Sequence, residues 1–344
     1  MVKRAVVICP GRGTYNKAEL GYLARHFPDG QMLSGFDAQR EAMGQETVSA
    51  LDSTERFSLA KHTRGDNASA LIFASSLGDF LSMNNEKVEI VAVTGNSMGW
   101  YTTLACAGAT SAADGFRIAN TMGTLMQDNL TGGQTVYPFI DENWLVDDAR
   151  RAEIDALIHE INARPYAQLM TSIELGGMLV LAGDGAGLKA FEQAVEPVQD
   201  RFPMRLGNHA AFHTPLVEHV SELGLEALPT SLFQNPSLPM IDGRGHIWWP
   251  HACAMEELRD YTLRTQVIET YDFTHAVRIA AREFAPDLFI VAGPGNTLGG
   301  AVAQSLIMAD WTGLESKAAF VERQESAEPI LASMGLEAQR GMVT

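Results

Sequence analysis

The chain has 344 residues, 46% of them apolar and 19% charged, and a formal net charge of −17. That is enough for a sizeable core, either as one large α/β domain carrying an insertion or as two domains. No apolar run approaches the roughly 20 residues that cross a bilayer, and the acidic balance argues against nucleic acid and anionic membrane surfaces as partners.

Residues 4–9 read as a buried first strand, because their apolar segment is too short for a signal peptide. Pro10-Gly11-Arg12-Gly13-Thr14-Tyr15 follows as a glycine-rich loop. Helical patterns run to about residue 60, and a clearer one covers 68–80. A strand over 88–94 enters Gly95-x-Ser97-x-Gly99, and helices are expected over about 99–107 and 112–129. Thr131-Gly132-Gly133 breaks the pattern. Beyond it come an apolar patch near 135–140, an acidic helix at 147–162, strands at 168–173 and 178–182, a helix at 186–199 and a strand at 204–206. Strand–helix–strand–strand–helix–strand within about 70 residues suggests a small ferredoxin-like subdomain. Helical segments return around 214–227 and 255–280, then a buried strand at 288–292 and the turn Gly293-Pro294-Gly295. Residues past about 311 read as a moderately polar tail. Cys9, Cys106 and Cys253 have unrelated spacings that give neither a disulfide framework nor a metal site. No metal is therefore expected, and a reducing cytoplasm is the expected location.

Ser97 is the first candidate for chemistry. A short apolar strand, a glycine-flanked turn and a following helix are the context of a nucleophile elbow, and glycines at 95 and 99 let strand and helix pack closely. The same residues also describe a plain strand-to-helix turn with an N-capping serine. A serine nucleophile needs a base, and of the nine histidines His213 has the best context, between a strand and a helix that Pro215 can start. Taken alone, a histidine there can equally be a cap. Arg12 lies in a loop whose backbone N–H groups can face an oxyanion or bind a phosphate.

Together these segments resemble the malonyl-CoA:acyl carrier protein acyltransferase family. Pro10-Gly11-Arg12-Gly13 looks like its Pro-Gly-Gln-Gly opening, and Gly95-Asn96-Ser97-Met98-Gly99 like its Gly-His-Ser-x-Gly. Ala211-Phe212-His213-Thr214-Pro215-Leu216 resembles its Ala-Phe-His-Ser-Pro-Leu, and Gly293-Pro294-Gly295-Asn296-Thr297-Leu298 its Gly-Pro-Gly-x-x-Leu. The resemblance implies a hydrolase-like parallel-sheet core over 1–130 and 206–310. A ferredoxin-like subdomain would be inserted at 131–205, and a C-terminal extension would follow at 311–344. It also implies acyl transfer from acyl-CoA, a substrate rather than a cofactor, to the phosphopantetheine thiol of an acyl carrier protein in fatty acid or polyketide synthesis. Ser97 would carry the acyl group and His213 would be the base. Backbone N–H groups of Arg12 and Met98 would form the oxyanion hole, and the backbone carbonyl of Gln266 would orient His213. No aspartate is then required as a third member.

The departures bear on the substrate. Family members that take malonyl groups carry an arginine on the helix after the elbow, which pairs with the free carboxylate. Met122 stands at that position here, while Arg117 matches a different, structural arginine. Asn96 replaces the elbow histidine. Met122, Phe212 and Asn96 are the expected acyl-pocket residues, and an uncharged acyl group is expected over malonyl. A thioester hydrolase on the same scaffold, of proofreading type, fits the missing arginine equally well. A degenerate, non-catalytic homologue is disfavoured by the joint presence of Ser97, His213 and Gln266. An ordinary carboxylesterase comes last, because its acid before a late histidine has no counterpart.

Overall fold

The computed structural model describes residues 2–344. The strands in chain order are β1 Lys3–Cys9, β2 Val88–Gly95, β3 Gly133–Pro138, β4 Leu169–Leu175, β5 Met178–Gly183 and β6 Met204–Leu206. They continue with β7 Met240–Ile241, β8 Ile247–Trp248, β9 Tyr271–Asp272, β10 Leu288–Val291 and β11 Leu331–Ser333. A six-stranded core sheet has the order β11-β10-β1-β2-β7-β8. Its pairings are parallel except β7 with β8. A parallel sheet covered on both faces needs strands apolar on both sides, and Ala5, Val6, Val7, Ile8 and Cys9 are all completely buried.

The chain leaves this core after helix Ala112–Asp128 and builds a second, five-stranded sheet of order β6-β3-β5-β4-β9. Helix Asp148–Asn162 connects β3 to β4, and helix Gly185–Ala194 connects β5 to β6. Asp147 and Asp184 cap those helices by accepting from the Arg150 and Gly187 amides, which satisfies donors that the first turn leaves open. The architecture is thus the expected α/β class, a hydrolase-like core interrupted by a smaller unit.

Two strand pairings cross the expected boundaries. The smaller sheet takes its edge strand β9 from outside residues 131–205, through the parallel pairings Ile173 with Tyr271 and Glu174 with Asp272. Residues 311–344 are not an appendage, because β11 completes the edge of the core sheet beside β10. Arg340 reaches further in and pairs with the fully buried Asp79 at 2.6 Å. Asp79 also accepts from Tyr22 Oη at 2.8 Å and the Gly293 amide at 2.6 Å. Among the described residues no helix is long and apolar enough to cross a membrane, and no group of three or more His, Cys, Asp or Glu is placed to hold a metal ion.

Candidate active site

Ser97 sits between the end of β2 and the start of helix Gly99–Cys106, at the C-terminal edge of the parallel sheet. Its φ of 56° is left-handed, which costs a non-glycine residue on the order of 1 kcal/mol and persists only where neighbours enforce it. The enforcement is visible. The Asn96 amide donates to the Cys9 carbonyl at 2.9 Å, the Gly99 amide to the Asn96 carbonyl at 2.8 Å, and Tyr271 Oη to the Gly95 carbonyl at 2.7 Å. A Cβ on Gly99 would lie 2.1 Å from the Cys9 carbonyl oxygen, so only glycine lets the helix start this close to β1. A Cβ on Gly11 would lie 2.6 Å from the Asn96 carbonyl oxygen, so the loop after β1 is pressed against the same turn.

His213 meets this turn from the other side. Its Nε2 lies 2.7 Å from Ser97 Oγ, and its Nδ1 donates to the Gln266 backbone carbonyl. A carbonyl oxygen can only accept, so the ring proton sits on Nδ1 and Nε2 is left as the acceptor for the serine hydroxyl. The His213 amide donates to the Val267 carbonyl at 2.9 Å, and Thr214 Oγ1 donates to the Ala211 carbonyl at 2.6 Å. Those bonds hold His213 at a left-handed φ of 58°. Gln266 follows a π-helical turn, Tyr261–Thr265, and its side-chain Nε2 donates to Tyr101 Oη at 2.8 Å. The expected Ser97, His213 and Gln266 therefore converge, with the glutamine acting through its main chain.

Burial pulls the His213 imidazole down to about 4, with the Gln266 hydrogen bond pulling the other way. The ring is then neutral at pH 7 and ready to accept a proton. The acid limb of kcat/KM for acylation should accordingly lie well below the ordinary imidazole value of about 6.5. A pH–rate profile checks this, and an acid limb at or above about 6.5 contradicts it. Because the unfolded state binds the extra proton between about 4 and about 6.5, His213 also makes the fold less stable as pH falls through that window.

The Met98 and Arg12 amides, the expected oxyanion donors, make no hydrogen bond among the described residues. The Arg12 side chain was not legible in the sequence. Its Nη2 donates to the carbonyls of Thr63 at 2.7 Å and Asn208 at 2.8 Å, and its guanidinium lies 5.5 Å from the Phe212 ring centre. Burial brings its pKa down to about 10, partly offset by the charge of Asp66, so it stays cationic at pH 7.

Two spaces open on Ser97. A chamber of about 420 Å³, partly open to solvent, is lined by Met122, Met126, Tyr101, Phe212 and the dyad. A groove of about 1270 Å³, also partly open, runs under the second sheet and is lined by Val136, Ile173, Val180, Leu206 and His209. Met122 is 1% exposed and backed by Gly224, where a Cβ would lie 2.7 Å from its sulfur. Arg12 is the one arginine or lysine lining the chamber among the described residues, and Arg117 is exposed. Of the residues expected in the acyl pocket, Met122 lines the chamber, Asn96 the groove, and Phe212 both.

The architecture around this site recurs in solved proteins. The malonyl-CoA:ACP transacylase of Synechocystis sp. superposes with a TM-score of 0.74 at 15% identity, covering 99% of this chain and 100% of that one. The malonyl-CoA:acyl carrier protein transacylase of Xanthomonas oryzae pv. oryzae gives 0.75 at 17%, covering 99% and 98%. The chain has the transacylase fold. A malonyl-transacylase solved in complex with a type II polyketide synthase acyl-carrier protein shares that fold, with a TM-score of 0.72 at 17% identity over 98% of this chain and 97% of that one. In sequence, the chain is 25% identical over 250 residues to a probable mitochondrial malonyl-CoA-acyl carrier protein transacylase of Drosophila melanogaster. That match covers 70% of this chain and spans 64% of the relative's length. No family model matches the chain. The resemblance drawn from the four motifs is borne out by these relatives.

Proposed function

We propose that this chain is a serine acyltransferase that moves an acyl group from coenzyme A to the phosphopantetheine thiol of an acyl carrier protein. The observation that carries the reading is the 2.7 Å contact between Ser97 Oγ and His213 Nε2, with Nδ1 committed to the Gln266 carbonyl. In the first step His213 takes the hydroxyl proton, Ser97 Oγ attacks the thioester carbonyl, and the protonated imidazole returns its proton to the leaving thiolate. The Arg12 and Met98 amides are the donors for the tetrahedral oxyanion. In the second step His213 takes the proton of the carrier thiol, which attacks the acyl-serine and restores Ser97 Oγ–H. The transacylase fold and the Drosophila relative's name support coenzyme A and carrier protein as partners. Free Cys9, Cys106 and Cys253 suit a reducing compartment such as the cytoplasm.

Incubation with a panel of acyl-CoAs, read by intact mass, tests the reading: an acyl adduct on Ser97 is expected, discharged by holo carrier protein. Discharge at the same rate by water alone would make the chain a thioester hydrolase. Absence of any adduct across the panel removes the acyltransferase reading.

The acyl group follows from the chamber. Met122 offers no charge to a carboxylate, and the Arg12 guanidinium is anchored through Nη2 to the Thr63 and Asn208 carbonyls. An unpaired carboxylate here costs roughly 2–5 kcal/mol, a factor of tens to thousands. Acetyl-CoA should therefore exceed malonyl-CoA in kcat/KM. A preference for malonyl-CoA by more than about tenfold would show that a cation replaces the missing arginine.

A further inference from the structure

Beside the dyad, three polar side chains outside every recognised motif form a chain of hydrogen bonds with only one possible direction. The Phe212 carbonyl oxygen can only accept, so Ser172 Oγ donates to it at 2.8 Å. With its proton committed, Ser172 Oγ accepts from Gln134 Nε2 at 2.7 Å. Gln134 must then turn Oε1 towards His209 Nδ1, 2.7 Å away, and that nitrogen carries the ring proton. Ser172 is completely buried and Gln134 is 2% exposed, so water does not compete for these bonds. Burial, with the Arg12 charge adding to it, holds the His209 imidazole neutral at pH 7.

The consequence is a histidine with a predetermined tautomer. His209 Nε2 keeps a free lone pair, makes no hydrogen bond among the described residues, and belongs to a residue lining the same groove as Ser97. The groove is the larger of the two spaces that open on Ser97, about 1270 Å³ against about 420 Å³ for the chamber. A thioester that places its acyl group in the chamber leaves its thiol arm in the groove.

We propose that His209 Nε2 is a fixed acceptor for an N–H or O–H group on the thiol arm of the acyl thioester, making it a specificity residue that favours an amide-bearing arm over a purely alkyl one. This rests on the acyltransferase reading, because it needs a thioester seated in the groove. Phe212 and Ser172 tie the same chain to the backbone beside His213, so a bare loss of activity on altering His209 has two explanations, and a ratio of substrates is needed to separate them.

The experiment measures the rate of Ser97 acylation, by intact mass, for S-acetyl-N-acetylcysteamine and for an S-acetyl alkanethiol of equal length. The wild-type chain should prefer the amide-bearing thioester by about five- to tenfold, the worth of one neutral hydrogen bond in a sheltered site. In His209→Leu that preference should fall to about twofold or less. The ratio is internal to each sample, so partial misfolding does not affect it, and His209→Phe is read in the same way if the leucine variant does not fold. Equal slowing of both thioesters in the variant overturns the proposal and leaves His209 as a support for His213. An equal rate for both in the wild type overturns it too, with the acyltransferase reading intact. If neither thioester nor acyl-CoA labels wild-type Ser97, the acyltransferase reading fails and the proposal fails with it.

Discussion

Ser97→Ala should abolish the acyl adduct and lower turnover by at least about 1000-fold, the loss expected when a nucleophile is removed. The variant should fold, because its neighbours grip the turn through main-chain atoms: the Asn96 and Gly99 amides and the Gly95 carbonyl keep their partners. Alanine at φ 56° carries about the same backbone penalty as serine. Loss of activity with an unchanged unfolding curve is the expected pair of results. An alanine variant still acylated at wild-type rate would move the nucleophile elsewhere and break the link between the Ser97–His213 contact and the chemistry.

The largest expected effect on stability lies far from that contact. Arg340→Met should destabilise the fold by about 3–5 kcal/mol, the usual cost of leaving a buried charge without its partner. Asp79 is fully buried, and with Arg340 gone it retains only Tyr22 Oη and the Gly293 amide as donors. The double variant Arg340→Met/Asp79→Leu should recover much of the loss, because a paired charge has been exchanged for apolar packing. Urea unfolding midpoints measure both. A single variant within about 1 kcal/mol of wild type would show that Asp79 is neutral or hydrated in the fold and that Arg340 is a bystander.

The elbow and the dyad were legible because their signals are local. A four-residue apolar run at 90–93, two glycines four apart and a proline two residues after His213 each describe a turn geometry that the neighbouring backbone completes. Strands with long apolar runs, such as β1 and β2, and helices such as Ala112–Asp128 were legible for the same reason. The C-terminal strand was not. Leu331–Ser333 is three residues long, too short for any periodicity, and only its neighbour β10 makes it a strand. The expected helical stretch over 255–280 conceals a π-helical turn and the two-residue β9, which tertiary pairing alone specifies. Likewise nothing near Ser172 or Gln134 in the sequence announces His209, since those residues meet through the second sheet.

The edge strand β9 has a practical consequence for anyone recombining proteins of this fold. Residues 131–205 look like a cassette that could be exchanged between relatives to alter substrate choice. Yet Tyr271 pairs with Ile173 at the rim of that cassette, and its hydroxyl reaches the Gly95 carbonyl under the Ser97 turn, with its ring 5.4 Å from that of His213. A graft cut at 131 and 205 would set a foreign β4 against the resident Tyr271 and transmit any mismatch in register straight to the Ser97 turn. The transplantable piece is the insertion together with 271–272, and chimeras designed without that dipeptide should fold and still lose turnover.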